Sequence, residues 1–451
     1  MIIHTLGGVN EIGGNIFLVE TQDTKILLDF GRSFKYEGIF FAGYLQPRTS
    51  QGLKDFLAFN ILPQLPELYS QDFNLEGSLD IPEIKACFIS HAHLDHFGYS
   101  NLLHELIPIY MGETTKTIIQ SIQDTSRPRF GRPYLQQATN EKPSNIRTFR
   151  TGDILQISEF EITPIHVDHS VPGAYGFILE NLNNGKSLGY TGDIRLHGWR
   201  KDLTQDFIDT SKKKKLDALL MEGTNINENF TDDEKQVQSG LSEAIASTDG
   251  LVIANYSLRD IDRFRSLYLA AKENGRKLLI NTKQAYLLQL LQEDVNLNIP
   301  ALDDPFLQIY KHPKKRHYKW EQELFEKFNV VDSPGFDQTQ YVFECDFWNL
   351  TDLIDIKPQR DISTYFYSHG DPFDDEGMID YNRMQEWIRY FKLNFKQYHA
   401  SGHAPQQDLK IIVEAISPEV LIPIHSEHPE LYKDLVDIPI LLPKRGKLIK
   451  I

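Results

Sequence analysis

The hydrophobic pattern divides the chain into stretches of different character. Up to about residue 200, apolar residues come mainly in short runs of strand length. These are Ile2–Ile3, Ile16-Phe17-Leu18-Val19, Lys25-Ile26-Leu27-Leu28-Asp29, Ile84–Ile89 and Ile107–Met111. A run ending in Phe160–Ser170 follows, then a hairpin of Ala174–Glu180 and Lys186–Tyr190 about Asn183-Asn184-Gly185. Helical spacing is predicted for Tyr99–Leu106, through Leu102, Leu103 and Leu106, and for Glu113–Asp124. Past Trp199 strands alternate with helices: strand Leu216–Met221, helix Asp232–Ser247, strand Leu251–Asn255, helix Ile261–Glu273, strand Lys277–Asn281. That alternation predicts a parallel α/β domain. A helix over Gln406–Ala415 and a strand over Val420–Ile424 end the pattern. The stretch 33–82 is aromatic and irregular, with a helix or two expected near Lys54–Tyr69. It reads as an insertion that either shapes substrate entry or packs as a surface excursion.

Ligand-type side chains gather where the strands end. The stretch Cys87–Gly98, CFISHAHLDHFG, places His91, His93, Asp95 and His96 on the turn leaving a buried strand. His91 and His93 can point one way and Asp95 and His96 to a neighbouring spot, which suits two adjacent metal ions of zinc type. His169 is a further ligand candidate, with His166 and Asp168 weaker ones. Asp193, in Thr191-Gly192-Asp193, stands where a bridging carboxylate could sit. His399, Ser401 and His403 precede the last helix, and His425 follows the last strand. Asp29, at a strand end, is either a turn residue or an orienter of metal ligands. The glycines Gly7-Gly8 and Gly13-Gly14 form a weak phosphate-loop pattern, since no Lys-Ser/Thr follows.

Composition narrows the setting. A chain of 451 residues with 41% hydrophobic content has core enough for two or three domains. Its 2 cysteines give no disulfide framework, so a reducing cytoplasm is expected. No secretory signal pattern opens the chain, and no apolar stretch reaches membrane-spanning length. The net charge of −16 argues against a general nucleic-acid coat protein. It leaves room for a nucleic-acid enzyme, because bound cations and a local basic groove can offset it. Basic residues do cluster at Lys212–Lys215 and Lys311–Arg316, and Arg127, Arg129 and Arg132 lie in an irregular loop.

The segment His91-Ala92-His93-Leu94-Asp95-His96 resembles the HxHxDH signature of the metallo-β-lactamase superfamily, with Asp29, His169 and Asp193 at its other stations. Glu222, His403 in Ser-Gly-His and His425 in Pro-Ile-His-Ser-Glu resemble motifs A, B and C of its β-CASP branch. The glycine-rich opening and His399-x-Ser401-Gly402-His403 are similar to ribonuclease J. The resemblance implies an α/β protein: an αββα sandwich of residues 1–205 and 395–451, with a β-CASP domain inserted at 206–394. The active site would lie in the cleft between them. Two departures stand out: Tyr367–Phe373 lacks the family's serine-rich, Pro-Gly-containing stretch, and 340–350 lacks its glycine-rich segment. The further C-terminal domain of ribonuclease J is not expected after His425, and a homodimer remains open.

The implied cofactors are two zinc ions, with manganese as an alternative. His91, His93 and His169 would hold one, Asp95, His96 and His425 the other, and Asp193 would bridge them. His403 would act as general acid, oriented by Glu222, and His399 and Ser401 would contact the substrate phosphate. The implied activity is a metal-dependent hydrolase cutting RNA, from the 5′ end or internally. Alternatives are a DNA nuclease, a small-molecule hydrolase of lactonase or thioesterase type, and a non-cutting RNA-binding scaffold.

Overall fold

The apolar runs assemble into three sheets. The computed structural model describes the chain apart from residues 74, 78–80, 128–129, 131, 137–143, 230–231, 371, 373–374 and the side chain of 375. Arg129 and two positions of the 367–373 stretch therefore lie outside the described residues. The first sheet runs in the order Leu448–Lys450, Ile2–Thr5, Phe17–Glu20, Lys25–Leu28, Ile84–Ile89, Ile109–Gly112, Ile146–Phe149. The second runs Leu421–Ile424, Ala218–Glu222, Ser187–Tyr190, Tyr175–Asn181, Phe160–His166, Leu155–Ile157. Both are mixed, parallel at one side and antiparallel at the other.

These two sheets face each other across one apolar core. Ile26, Leu28, Ala86 and Phe88 of the first meet Phe177, Leu179, Leu188 and Leu220 of the second. Leu27, Cys87 and Ile89 point the other way, into a core shared with Phe56, Ile118 and Ile119 of the covering helices. Helices Lys201–Lys214 and Gln406–Ile416 cover the outer face of the second sheet. Strands buried on both faces have no polar alternation, which is why they read as continuous apolar runs. The layering is the αββα sandwich implied by the resemblance.

The third sheet is wholly parallel, in the order Val330–Val331, Leu307–Tyr310, Lys277–Ile280, Tyr341–Glu344, Val252–Tyr256, Thr364–Ser368, Asn394–Gln397. The chain enters at Val252–Tyr256, grows to one side, and then returns. Tyr341–Glu344 inserts beside the entry strand, and growth continues on the other side. The reversal of direction leaves a crevice at the carboxyl ends of the central strands, the usual ligand position in such sheets.

Some expectations differ from what is observed. Ala218–Glu222 belongs to the second sheet and Asn394–Gln397 to the third, so sheet membership does not change at 206 and 394. Tyr99–Leu106 forms only a 3₁₀ turn at Ser100–Leu102. The Tyr99 N–H is drawn to Phe30 O at 3.0 Å, and Leu106 is 56% exposed where a helix would bury it. Within 33–82, helix Lys54–Ala58 is short, and Phe34–Phe40 is a further helix capped by the Ser33 hydroxyl. Among the described residues no helix is long and apolar enough to cross a membrane.

Candidate metal centre

Each cluster residue is delivered by a strand exit. His91, His93, Asp95 and His96 follow Ile84–Ile89, the last two within the short helix Leu94–Phe97. His169 follows Phe160–His166, Asp193 follows Ser187–Tyr190, Glu222 ends Ala218–Glu222, and His425 follows Leu421–Ile424. The last three strands are parallel neighbours, so their carboxyl ends open at one rim. The glycine-rich opening backs this rim and holds no phosphate-loop helix. Its Asn15 N–H donates to Asp95 O at 3.0 Å, and Gly8 O accepts the His425 N–H at 2.8 Å. Asp29, in the left-handed region at φ 58°, accepts the Ser90 N–H at 2.7 Å and the Ser90 hydroxyl at 2.8 Å. It also lies 2.7 Å from His96 Nδ1, which orients that ring.

Two donor sets result. In the first, His93 Nδ1 lies 3.1 Å from both His91 Nε2 and His169 Nε2, and Asp193 Oδ2 lies 3.3 Å from His91. In the second, Asp193 Oδ2 is 3.1 Å from His96 Nε2, and Asp95 Oδ2 is 3.1 Å from His425 Nε2. Within each set the donor atoms lie within 4.8 Å of one another, and Asp193 belongs to both. Both Asp193 carboxylate oxygens are buried, and among the described residues only histidine ring nitrogens approach them. A buried carboxylate ringed by nitrogen donors is favourable only with positive charge beside it, which protonated rings or a bound cation would supply. Burial, with the neighbouring positive charge, holds His91, His93 and His169 below their usual pKa, leaving neutral rings with lone pairs to give. Burial opposes ionisation of Asp193, yet His425, His96 and His403 hold its carboxyl well below the usual range. The donors fit metal ions of zinc type.

Beside these sets stands a third group, Glu222, His403 and His425. His403 Nδ1 is 3.0 Å from Glu222 Oε1 and 3.9 Å from Asp193 Oδ2. Burial alone would lower the His403 pKa. The Glu222 and Asp193 carboxylates outweigh it and raise it to about 9. Glu222 is fully buried and accepts the N–H groups of Ile194 at 3.2 Å and Thr224 at 2.9 Å.

Other candidates sit apart from the donor sets. Asp168 pairs with Arg195 at 3.4 Å, and His166 stacks on Tyr175 at 4.0 Å. The Ser401 hydroxyl oxygen accepts from Asn225 Nδ2 at 2.9 Å and the His403 N–H at 3.2 Å. His399 lies towards Gly370, its Nδ1 buried without a close hydrogen bond among the described residues, and burial with Arg263 and His369 pushes its pKa down to about 2. Thr224, not singled out by the sequence patterns, has its hydroxyl 2.8 Å from His425 Nδ1 and 3.2 Å from His403 Nδ1. Its place two residues after Glu222, at the same strand exit, is the available signal. Arg195 and Arg263 were also missed. Both are fully buried, share Glu234, and donate to the carbonyls of Ser401 and of Tyr398 and Ala400 respectively. They fix the strand exit that carries His403.

Known proteins match along these same segments. The beta-lactamase superfamily domain matches residues 64–252, and the Zn-dependent metallo-hydrolase RNA specificity domain matches 390–434. The chain is 23% identical to ribonuclease J of Mycoplasma genitalium over 94% of its own length and 68% of that protein's. It is 22% identical to ribonuclease J of Helicobacter pylori, spanning 56% of that protein's length, and 21% identical to ribonuclease J2 of Bacillus subtilis, spanning 69%. A solved structure of a protein of unknown function from Enterococcus faecalis V583 shares the fold, with TM-score 0.77 and 22% identity over 99% of both chains. With its paired sheets, its donor sets and these matches, the chain belongs to the metallo-β-lactamase superfamily and is distantly similar to ribonuclease J along most of its length.

Proposed function

We propose that the chain is a zinc-dependent ribonuclease that hydrolyses RNA phosphodiester bonds between the sandwich and the third-sheet domain. The observation that carries this reading is the Glu222–His403 pair beside the shared Asp193. A carboxylate-paired imidazole next to two donor sets suits a bond whose leaving oxygen needs a proton. His91, His93 and His169 would hold one ion, Asp95, His96 and His425 the other, and Asp193 both. When bound, the ions supply a water of lowered pKa and neutralise charge on the phosphodiester. Glu222 keeps His403 protonated and aims its ring, and His403 gives that proton to the leaving oxygen. The Ser401 hydroxyl, already accepting two hydrogen bonds, keeps its own proton for a non-bridging phosphate oxygen. His399, a neutral ring, would donate an N–H to the same phosphate.

The test uses labelled RNA and matched DNA, each with a 5′ monophosphate or triphosphate, and protein loaded with zinc or manganese. Metal-dependent RNA cleavage is expected. Mononucleotides from monophosphorylated RNA alone would mark a 5′ exonuclease, and internal fragments an endonuclease. Cleavage of DNA alone would make the chain a DNA nuclease. No cleavage of either polymer would overturn the nuclease reading in favour of a small-molecule hydrolase.

A further inference from the structure

The crevice of the third sheet opens toward the metal-ligand cluster. Its wall carries Tyr256, Trp348 and His369, just at or beyond the ends of three adjacent parallel strands. The cavity there, about 830 Å³, also reaches Leu94, the residue between His93 and Asp95, and Arg259. The Arg259 charge acts on both His93 and Asp95. A second cavity of about 520 Å³ shares Lys283 and Trp348 with the first and continues to Lys314 and Tyr318. One tract thus leads from the ligand cluster to the basic run Lys311–Arg316.

The side chains along it are poised for a polyanion with flat rings. Among the described residues, the side chains of Arg127, Arg259 and Lys283 make no ion pair or hydrogen bond, though Lys283 shares the cavity with the Asp346 carboxylate and its charge acts on it. Arg32 and Lys314, by contrast, are held by Glu37 at 2.7 Å and Glu321 at 2.6 Å. Trp348 is 80% exposed. Its turn is fixed by Asp346, which accepts the Asn349 N–H at 3.0 Å, and Phe347 meets its ring edge-on at 5.2 Å. An exposed indole on a pinned turn, in one cavity with Arg259 and Lys283, is a stacking platform with phosphate contacts in reach, the combination that single-stranded nucleic acid needs.

We propose that this tract holds a single-stranded polynucleotide segment next to the scissile bond, with Trp348 stacking on a base and Arg259 and Lys283 pairing its phosphates. The proposal rests on the ribonuclease reading and deepens it. The test measures binding of an RNA of about 12 nucleotides, and of the matching DNA, to the full chain kept metal-free with chelator so that nothing is cut. Trp348→Ala should weaken binding roughly 5- to 150-fold, the range expected for one stacked base. Trp348→Phe, which keeps a ring, should restore most of the affinity while removing most of the tryptophan fluorescence quench. Arg259→Gln with Lys283→Gln should flatten the salt dependence. Equal binding of RNA and DNA supports the tract, since stacking reads neither sugar. Binding by Trp348→Ala within twofold of the parent, or Trp348→Phe as weak as Trp348→Ala, overturns it. If the parent cuts RNA while Trp348→Ala binds normally, the tract alone fails. If the parent neither binds nor cuts either polymer, the ribonuclease reading fails with it.

Discussion

As the proposed general acid, His403 has to hold a proton at the working pH, and the carboxylates beside it favour that. Glu222 and Asp193 raise its pKa to about 9 against the effect of burial. The protonated form therefore fills below that pH, and a step that uses its proton slows as pH rises through it. Glu222→Gln removes the nearer charge, so the falling limb of kcat against pH should move to lower pH. A limb that stays in place would separate Glu222 from the protonation of His403. His403→Ala should slow RNA cleavage by about 10²- to 10⁴-fold, the usual worth of a general acid, with zinc content unchanged. An equal loss on a phosphodiester with a good leaving group would contradict the acid role. Residues such as His91, His93, Asp95 and His96 are legible in sequence because the turn carries them together. Thr224 and Arg259 are not, since their meaning comes from rings and charges that only the folded chain brings within reach.

At the scale of elements, strand exits do the positioning and glycines let the exits meet. A Cβ on Gly31 would stand 1.6 Å from Asp95 O, so the turn after Lys25–Leu28 can lie against the ligand turn only without a side chain. Gly31→Ala should destabilise the fold by about 2–3 kcal/mol in denaturant unfolding and lower the zinc content, because Asp95 has to shift. Gly38 meets nothing within 4 Å and lies in helix Phe34–Phe40, so Gly38→Ala should instead stabilise by roughly 0.5–1 kcal/mol. Loss of stability at Gly38 equal to that at Gly31 would contradict this. Buried strands were legible because both faces are covered, as Leu27 and Leu28 show by joining different cores. Tyr99–Leu106 departs from the helix its pattern predicts because three leucines at helical spacing also suit a tied-down turn.

Across the whole molecule, the sandwich supplies the ligand rim and the third-sheet domain supplies the opposing wall. Buried pairs fasten the two: Arg195 of the sandwich meets Asp262 at 2.6 Å and Glu234 at 3.5 Å, both on helices of the third-sheet domain. The net charge of −16 conceals unpaired cations in the cleft, since a sum over the chain carries no position. The alternation of strands and helices past Trp199 predicted the parallel sheet, yet sequence order could not show that Ala218–Glu222 would join the sandwich. A pair of metal ions sharing Asp193 can be counted, as zinc per chain. The chain loaded with zinc and freed of excess should carry two ions by elemental analysis. Asp193→Asn should carry at most one, stay folded and lose RNA cleavage. A parent that binds no zinc, or an Asp193→Asn variant that keeps both ions and full activity, would contradict the account.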